Sequence, residues 1–265
     1  MIKNFQYRLH PTKKQARLFE KCLSGCQWLY NELLSQRKIA FDELGMRLTK
    51  YQQMMFLPLL KEEYSDLDQI HSQVLQNAVD RLDKAFQGFF RRCKAGEKPG
   101  FPRFKGKHRY NSFCFPQSGF TVEGRELKLS KMGRIRIRLH RPLEGQIKTC
   151  TLRKNPSGTW DVVLSCEVTP ERLPTNEKSV GIDVGIATFA VLTDGQEIQN
   201  PRFFKHDERV LAKAQKKLSK LEKGTKKRRA QGKVVAKIHE RIKSRRKDFA
   251  TKNREKLLIS INISA

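Results

Sequence analysis

No two cysteines in this sequence stand in a C-x-x-C pair. The six are Cys22, Cys26, Cys93, Cys114, Cys150 and Cys166, and without paired ligand spacing no zinc site is legible. Cys22 and Cys26, four apart on one helix face, read as small buried thiols. Acid is also scarce: 27 Asp and Glu stand against 55 Lys and Arg, a formal net charge of +28. The isoelectric point is near 10.1. An imbalance this large points to a polyanion, nucleic acid first, with a generally basic surface as the alternative. No run approaches the ~18 apolar residues of a membrane span, and the opening residues 1–6 lack an apolar signal core. The expectation is therefore a cytoplasmic protein, with no membrane partner and no disulfides in a reducing compartment. No internal repeat is present. At 265 residues the chain has room for one large domain or two modest ones.

Periodicity sets the expected elements. Residues 2–9 alternate weakly and read as a strand, broken at His10 and Pro11. Thr12 and Gln15 form a T-x-x-Q capping box that starts a helix running to about Lys38, with Leu18, Cys22, Leu29 and Leu33 on one face. A shorter helix is expected over about 49–63. A third begins near Asp68, with Ile70, Val74, Ala78, Leu82, Phe86 and Phe90 on its apolar side, and ends at Cys93 before Gly96 and Pro99. Its aromatics read as core rather than base-stacking groups.

From 101 to 168 the pattern becomes strands and turns. Residues 101–110 interleave aromatic and basic side chains: Phe101, Arg103, Phe104, Lys105, Lys107, Arg109 and Tyr110. Residues 134–140 alternate strictly, with Arg134, Arg136, Arg138 and His140 on one face and Ile135, Ile137 and Leu139 on the other. Same-face residues lie ~7 Å apart, near the phosphate repeat of one nucleic-acid strand. A hairpin is expected about Asn155, Pro156, Ser157 and Gly158. Residues 171–178 read as a polar linker. Residues 207–246 read as two antiparallel basic helices carrying Lys226, Lys227, Arg228, Arg229, Arg245 and Arg246. Leu211, Leu218, Leu221, Val234, Ile238 and Ile242 form their thin apolar stripe.

Between linker and helices lies a short stretch, Val180, Gly181, Ile182, Asp183, Val184, Gly185, Ile186, followed by a second apolar run and the turn Thr193, Asp194, Gly195. It reads as a buried hairpin. A carboxylate there is costly unless partnered, and a metal ion is the usual partner. Asp183 is thus the candidate catalytic and metal-binding residue. A strand-borne Asp followed by Gly suits metal-dependent phosphoryl chemistry, although one Asp alone holds no two-metal centre. The actin-like ATPase fold opens similarly, but its second Gly-rich phosphate loop has no counterpart in this sequence.

Several motifs in order resemble the TnpB family of transposon-encoded RNA-guided DNA endonucleases, related to type V CRISPR effectors and often labelled transposases. These are Phe5, Tyr7, Arg8, Leu9, Pro11, Thr12 and Gln15 at the start; Trp28, Leu29, Tyr30 and Asn31; Pro99 to Lys105; Val180 to Ile186, similar to a first RuvC motif; and the basic helical pair.

The resemblance implies an α+β multidomain fold. Residues 1–10 and 101–170 would be an oligonucleotide-binding β-barrel, with a helical recognition lobe, 11–100, inserted. Residues 171–178 would be the linker. Residues 179–265 would be the N-terminal part of an RNase H-like (RuvC) domain, with its hairpin at 179–198 and basic helices at 207–247. It further implies binding of a guide RNA from the element's end and of double- and single-stranded DNA, with Mg²⁺-dependent cutting. The expected nucleic-acid contacts are Arg103, Lys105, Lys107, Arg109, Tyr110, Arg134, Arg136, Arg138, Lys226, Lys227, Arg228, Arg229, Arg245 and Arg246.

The family's later catalytic Glu and Asp, and the Cys₄ zinc ribbon between them, find no match. The final stretch, 257–265, reads as an apolar strand without acid. The chain therefore resembles a C-terminally truncated copy, with an incomplete Mg²⁺ site, no zinc, and no cleavage on its own. A non-catalytic, repressor-like RNA-guided DNA-binding protein is the alternative reading, and an actin-like ATPase the remote one.

Overall fold

A computed structural model describes residues 1–106, 109–169 and 180–262, with side chains described as far as 257. Lys107 and the expected linker, 171–178, lie outside the described residues. The chain divides into two compact units, the first comprising 1–155 and 159–170 and the second 156–158 and 171–265.

The first unit opens with β1 (Ile2–His10), which ends as expected at Pro11. Helix α1 (Lys13–Leu44) follows, with both halves of the Thr12–Gln15 capping box formed. It overruns the expected end at Lys38 by nearly two turns. Gly45 stops it at φ 62°, a left-handed cap that donates back to Ala40 and Phe41. The shorter helix is two pieces, α2 (Lys50–Met55) and α3 (Leu57–Glu63), because Pro58 lies in the first turn of the second. Thr49 and Gln52 repeat the capping box. After one turn, α4 (Ser65–Asp68), comes α5 (Ser72–Lys94), which buries Val74, Leu75, Ala78, Val79, Leu82 and Phe86.

Six further strands follow: β2 (Ser112–Phe115), β3 (Phe120–Glu123), β4 (Glu126–Leu129), β5 (Gly133–Arg138), β6 (Gln146–Lys154) and β7 (Trp160–Glu167). With β1 they form one antiparallel sheet in the order β2-β6-β7-β1-β5-β4-β3. The sheet curls enough for Phe115 and Phe120, on its two edge strands, to meet edge-on at 6.4 Å. Residues 101–106 and 109–110 take no strand despite their alternation.

One hydrophobic core joins sheet and helices. Phe5, Tyr7 and Leu9 of β1, Ile135 and Ile137 of β5, and Trp160, Val162 and Leu164 of β7 pack with Phe19, Leu29 and Leu33 of α1 and with Leu75 and Leu82 of α5. Cys22 and Cys26 are buried in it, and burial pushes the Cys22 thiol well up from its ordinary range. Among the described residues no helix is long and apolar enough to cross a membrane.

The second unit holds a three-stranded antiparallel sheet, β8 (Ile182–Asp183), β9 (Thr188–Leu192) and β10 (Glu197–Gln199), with β9 central. Two helices follow, α6 (Phe203–Ser219) and α7 (Lys226–Asn262). Of the stretch expected as a terminal strand, 257–262 is instead the end of α7, because an established helix adds residues at little cost, and 263–265 lie outside the described residues. Phe249 of α7 packs edge-on against Phe189 of β9 at 5.0 Å and Phe203 of α6 at 5.9 Å.

Candidate nucleic-acid interface

Strand β5 places the arginine row where the alternation puts it: Arg134, Arg136 and Arg138 are exposed while Ile135 and Ile137 are each 1 % exposed. Register adds what no single strand shows. Arg138 pairs with Arg8, Arg8 with Asp161, and Asp161 with Arg153, one row across four strands. Along the next row Glu126, Arg136 and His10 are neighbours. The outward face of the sheet therefore carries Arg8, Arg136, Arg138 and Arg153 close together.

The arginines differ in what they already hold. Asp161 is buried and accepts from Arg8 Nε at 2.8 Å, Gln6 Nε2 at 2.9 Å and Asn155 Nδ2 at 2.8 Å. Arg134 reaches Glu123 at 3.2 Å and Glu126 at 3.5 Å, which lowers its value as a phosphate contact. Arg136, Arg138 and Arg153 make no ion pair among the described residues. Three such arginines close together attract a polyanion over a Debye length of about 8–10 Å.

Segment 101–106 is irregular yet held from several sides. The Asn31 side chain closes a two-bond clip on Lys105. Its Oδ1 accepts the Lys105 N–H at 2.7 Å and its Nδ2 donates to the Lys105 carbonyl at 3.0 Å. Gln27 Nε2 donates to the same carbonyl at 2.6 Å. Phe101 packs against Phe86 and Phe89, Pro102 is buried, and Arg92 donates to the Gly100 carbonyl at 3.4 Å. Two separate sequence motifs, Trp28 to Asn31 and Pro99 to Lys105, are thus one physical junction. Arg103 and Arg109 are exposed. Lys105 is half-buried, its Nζ 5.3 Å from the Tyr30 ring centre. Tyr110 corrects the expectation. It is 9 % exposed, with its ring 6.3 Å from Tyr30 and under the Arg81 guanidinium at 5.3 Å. Burial pushes its hydroxyl pKa up. It is core, because the chain turns it inward just before β2.

In the second unit the basic helices pack antiparallel. Leu211, Ala214, Ile238 and Ile242 are the buried contacts, with Val235 beside them. Val234, expected in the stripe, is 45 % exposed; the contact face lies one residue on. Asp207 is buried, accepting from Arg241 and, at 2.9 Å, from Arg245. Arg228 Nη1 donates to the Leu218 carbonyl at 2.8 Å and the Leu221 carbonyl at 2.5 Å, and Arg229 Nη2 to the Gly224 carbonyl at 3.0 Å. Arg228, Arg229 and Arg245 therefore build the hairpin itself. The end of α6 has orphan carbonyls, and guanidinium groups satisfy them. Lys226, Lys227 and Arg246 remain exposed with no ion pair among the described residues.

Asp183 is also not as expected. It lies on a two-residue strand and is exposed, so the desolvation argument for a metal partner does not hold. Ile182, Val184 and Ile186 around it are 47 %, 67 % and 90 % exposed. Gly181 is fixed by contact: an added Cβ would sit 2.7 Å from Thr193 Cγ2, while its N–H donates to Thr193 Oγ1 at 3.2 Å. Across the sheet Asp183 pairs with Val191 and Val191 with Glu197, so both acids share one face, roughly 10 Å apart at the backbone. Among the described residues no three His, Cys, Asp or Glu side chains converge to hold a metal. Asp183 alone does not fit a two-metal phosphoryl-transfer centre, so no cleavage step follows from these residues.

Residues 163–261 match a family described as a probable transposase, and residues 1–45 one described as a helix-turn-helix domain. In this chain the latter residues fold as β1 and the single helix α1. A Streptomyces pristinaespiralis protein named "Putative RNA-guided DNA endonuclease" is 32 % identical over 261 residues, covering 94 % of this chain and 62 % of that protein. These findings support a TnpB-family protein. The InsQ protein of Escherichia coli strain K12, with the same designation, is 28 % identical over 258 residues, covering 95 % of this chain and 62 % of its own length. The chain thus spans under two thirds of these relatives. Among solved structures, that of a Cas12f1–sgRNA–target DNA complex matches with a TM-score of 0.53 at 12 % identity, covering 94 % of this chain and 64 % of that one. At that identity the likeness is one of fold, a mixed α/β architecture.

Proposed function

We propose that this TnpB-family chain binds a guide RNA and target DNA as the nucleic-acid-holding part of an RNA-guided DNA endonuclease. The observation that carries the reading is the outward face of the seven-stranded sheet, where Arg136, Arg138 and Arg153 stand exposed with no ion pair among the described residues. The exposed lysines at the start of α7 and the +28 net charge support it. In such systems base pairing supplies sequence while the protein grips backbone and shape, and a row of arginines at strand spacing suits the second task. The curled sheet serves in this reading as the oligonucleotide-binding barrel. Asp183 would be one carboxylate of the Mg²⁺ site that the family resemblance implies, a site the described residues do not complete.

The test is expression of the chain, purification at moderate salt and sequencing of the RNA that accompanies it. A discrete RNA enriched over bulk cellular RNA is expected, at the same level in Asp183→Ala. Protein free of nucleic acid would contradict the reading.

A further inference from the structure

Phe104 is 51 % exposed at the tip of a segment that is otherwise pinned. Asn31 and Gln27 grip the backbone of the next residue, Pro102 is buried two residues before, and Phe101 packs against Phe86 and Phe89. Holding irregular backbone this firmly keeps a half-exposed phenyl ring in a set place, and its exposed half packs against nothing among the described residues. The segment presents one aromatic face in a fixed orientation.

The surroundings say what would stack there. Arg103 is exposed beside it, and Lys38 Nζ lies 5.9 Å from the ring centre. An open groove of about 480 Å³ runs beside the ring, lined along α1 by Ser24, Gln27, Trp28, Asn31, Glu32 and Ser35. A half-exposed ring with Lys38 over it and Arg103 next in sequence, beside a groove of hydroxyls, amides, the Trp28 indole and one carboxylate, fits a nucleotide: base against the aromatic groups, phosphate toward the cations and away from Glu32, base edge toward the amides and hydroxyls. A greasy ligand would leave those polar groups unsatisfied.

We propose that Phe104 is a stacking platform for one unpaired nucleobase, with Arg103 and Lys38 holding the adjoining phosphates and Asn31 acting as the positioning residue. The proposal rests on the nucleic-acid-binding reading above. It assigns a non-electrostatic contact, which the charge excess alone does not require. Both an RNA strand and a displaced DNA strand offer such a base.

The experiment measures binding of single-stranded oligo(U), oligo(dT) and an abasic strand of equal length. Phe104→Ala is expected to weaken the two base-carrying strands about tenfold, to leave the abasic strand unaffected, and to leave the salt slope unchanged. Phe104→Trp restores affinity, and its added fluorescence is quenched by the base-carrying strands only. The oligo(U) and oligo(dT) arms tell which strand is preferred. Arg103→Gln lowers the salt slope. Asn31→Ala, checked for an intact melt, gives the Phe104→Ala loss, and the double variant is no weaker. Wild-type affinity in Phe104→Ala overturns the platform while nucleic-acid binding stands. Failure of the wild type to bind any of the three strands overturns the underlying reading instead. Should Asn31→Ala not fold, the two Phe104 variants alone decide, since that side chain is at the surface.

Discussion

The two units are stabilised in different ways. The first has a continuous core in which β1, β5 and β7 share apolar contacts with α1 and α5. The second has a helical hairpin whose buried contacts are Leu211, Ala214, Ile238 and Ile242, and whose register is set by polar clasps: Asp207 with Arg241 and Arg245, Gln231 with the Ala214 carbonyl, and Arg228 on the end of α6. A large core tolerates a surface evolved for other purposes. A thin one draws its own surface arginines into holding the fold. Arginines on the sheet of the first unit are thus freer to contact a ligand than those at the turn of the second.

Substitutions can break this comparison. The largest effect is expected at Leu33, fully buried in the first core. Leu33→Ala should cost about 2–5 kcal/mol, read as a fall in the melting midpoint of the first unit. Leu211→Ala should act locally, shown by faster hydrogen exchange along α6 and α7. A smaller loss, about 1–3 kcal/mol, is expected for Asp207→Asn, which removes a charge-assisted acceptor from two arginines. Its signature is again exchange in α6 and α7. If Asp207→Asn leaves exchange unchanged, the polar clasps are ornamental and the contrast fails.

The smallest effect concerns His71. Burial, with Lys131 and Lys61 nearby, lowers its pKa from the ordinary 6.5. Its Nδ1 finds no hydrogen-bond partner among the described residues. A depressed folded pKa means the unfolded chain binds the proton more readily. The contribution is therefore present above pH 6.5 and lost as pH falls from there through the folded value. His71→Gln should flatten stability against pH in that window. An unchanged profile would remove His71 from the account.

Much of this was legible in the sequence, and the failures have physical causes. The capping box at Thr12, the faces of α1 and α5, and the alternation of 134–138 are local properties, and local rules read them. Tyr110 shares its neighbourhood with basic residues, but which way a loop residue turns depends on Tyr30 and Arg81, far off in sequence. The exposure of Asp183 depends on what flanks its strand, not on its own apolar neighbours. Arg228 looks like its neighbours in a basic run; its work at the end of α6 appears only when the hairpin closes. The row Arg138, Arg8, Asp161, Arg153 is a product of register, and pairing between strands far apart in sequence left no trace in any one of them.

The most direct test of the central claim is the salt dependence of RNA binding by the nuclease-treated, purified chain. Wild type should bind single-stranded RNA with log K falling linearly against log salt, by ~0.7 for each phosphate held. Arg136→Gln with Arg138→Gln should melt as wild type does, bind more weakly, and lower that slope by roughly 1 to 1.5. Arg228→Gln should leave the slope nearly unchanged while loosening α6 and α7. A salt-independent affinity, or a slope untouched by loss of both sheet arginines, would contradict the account.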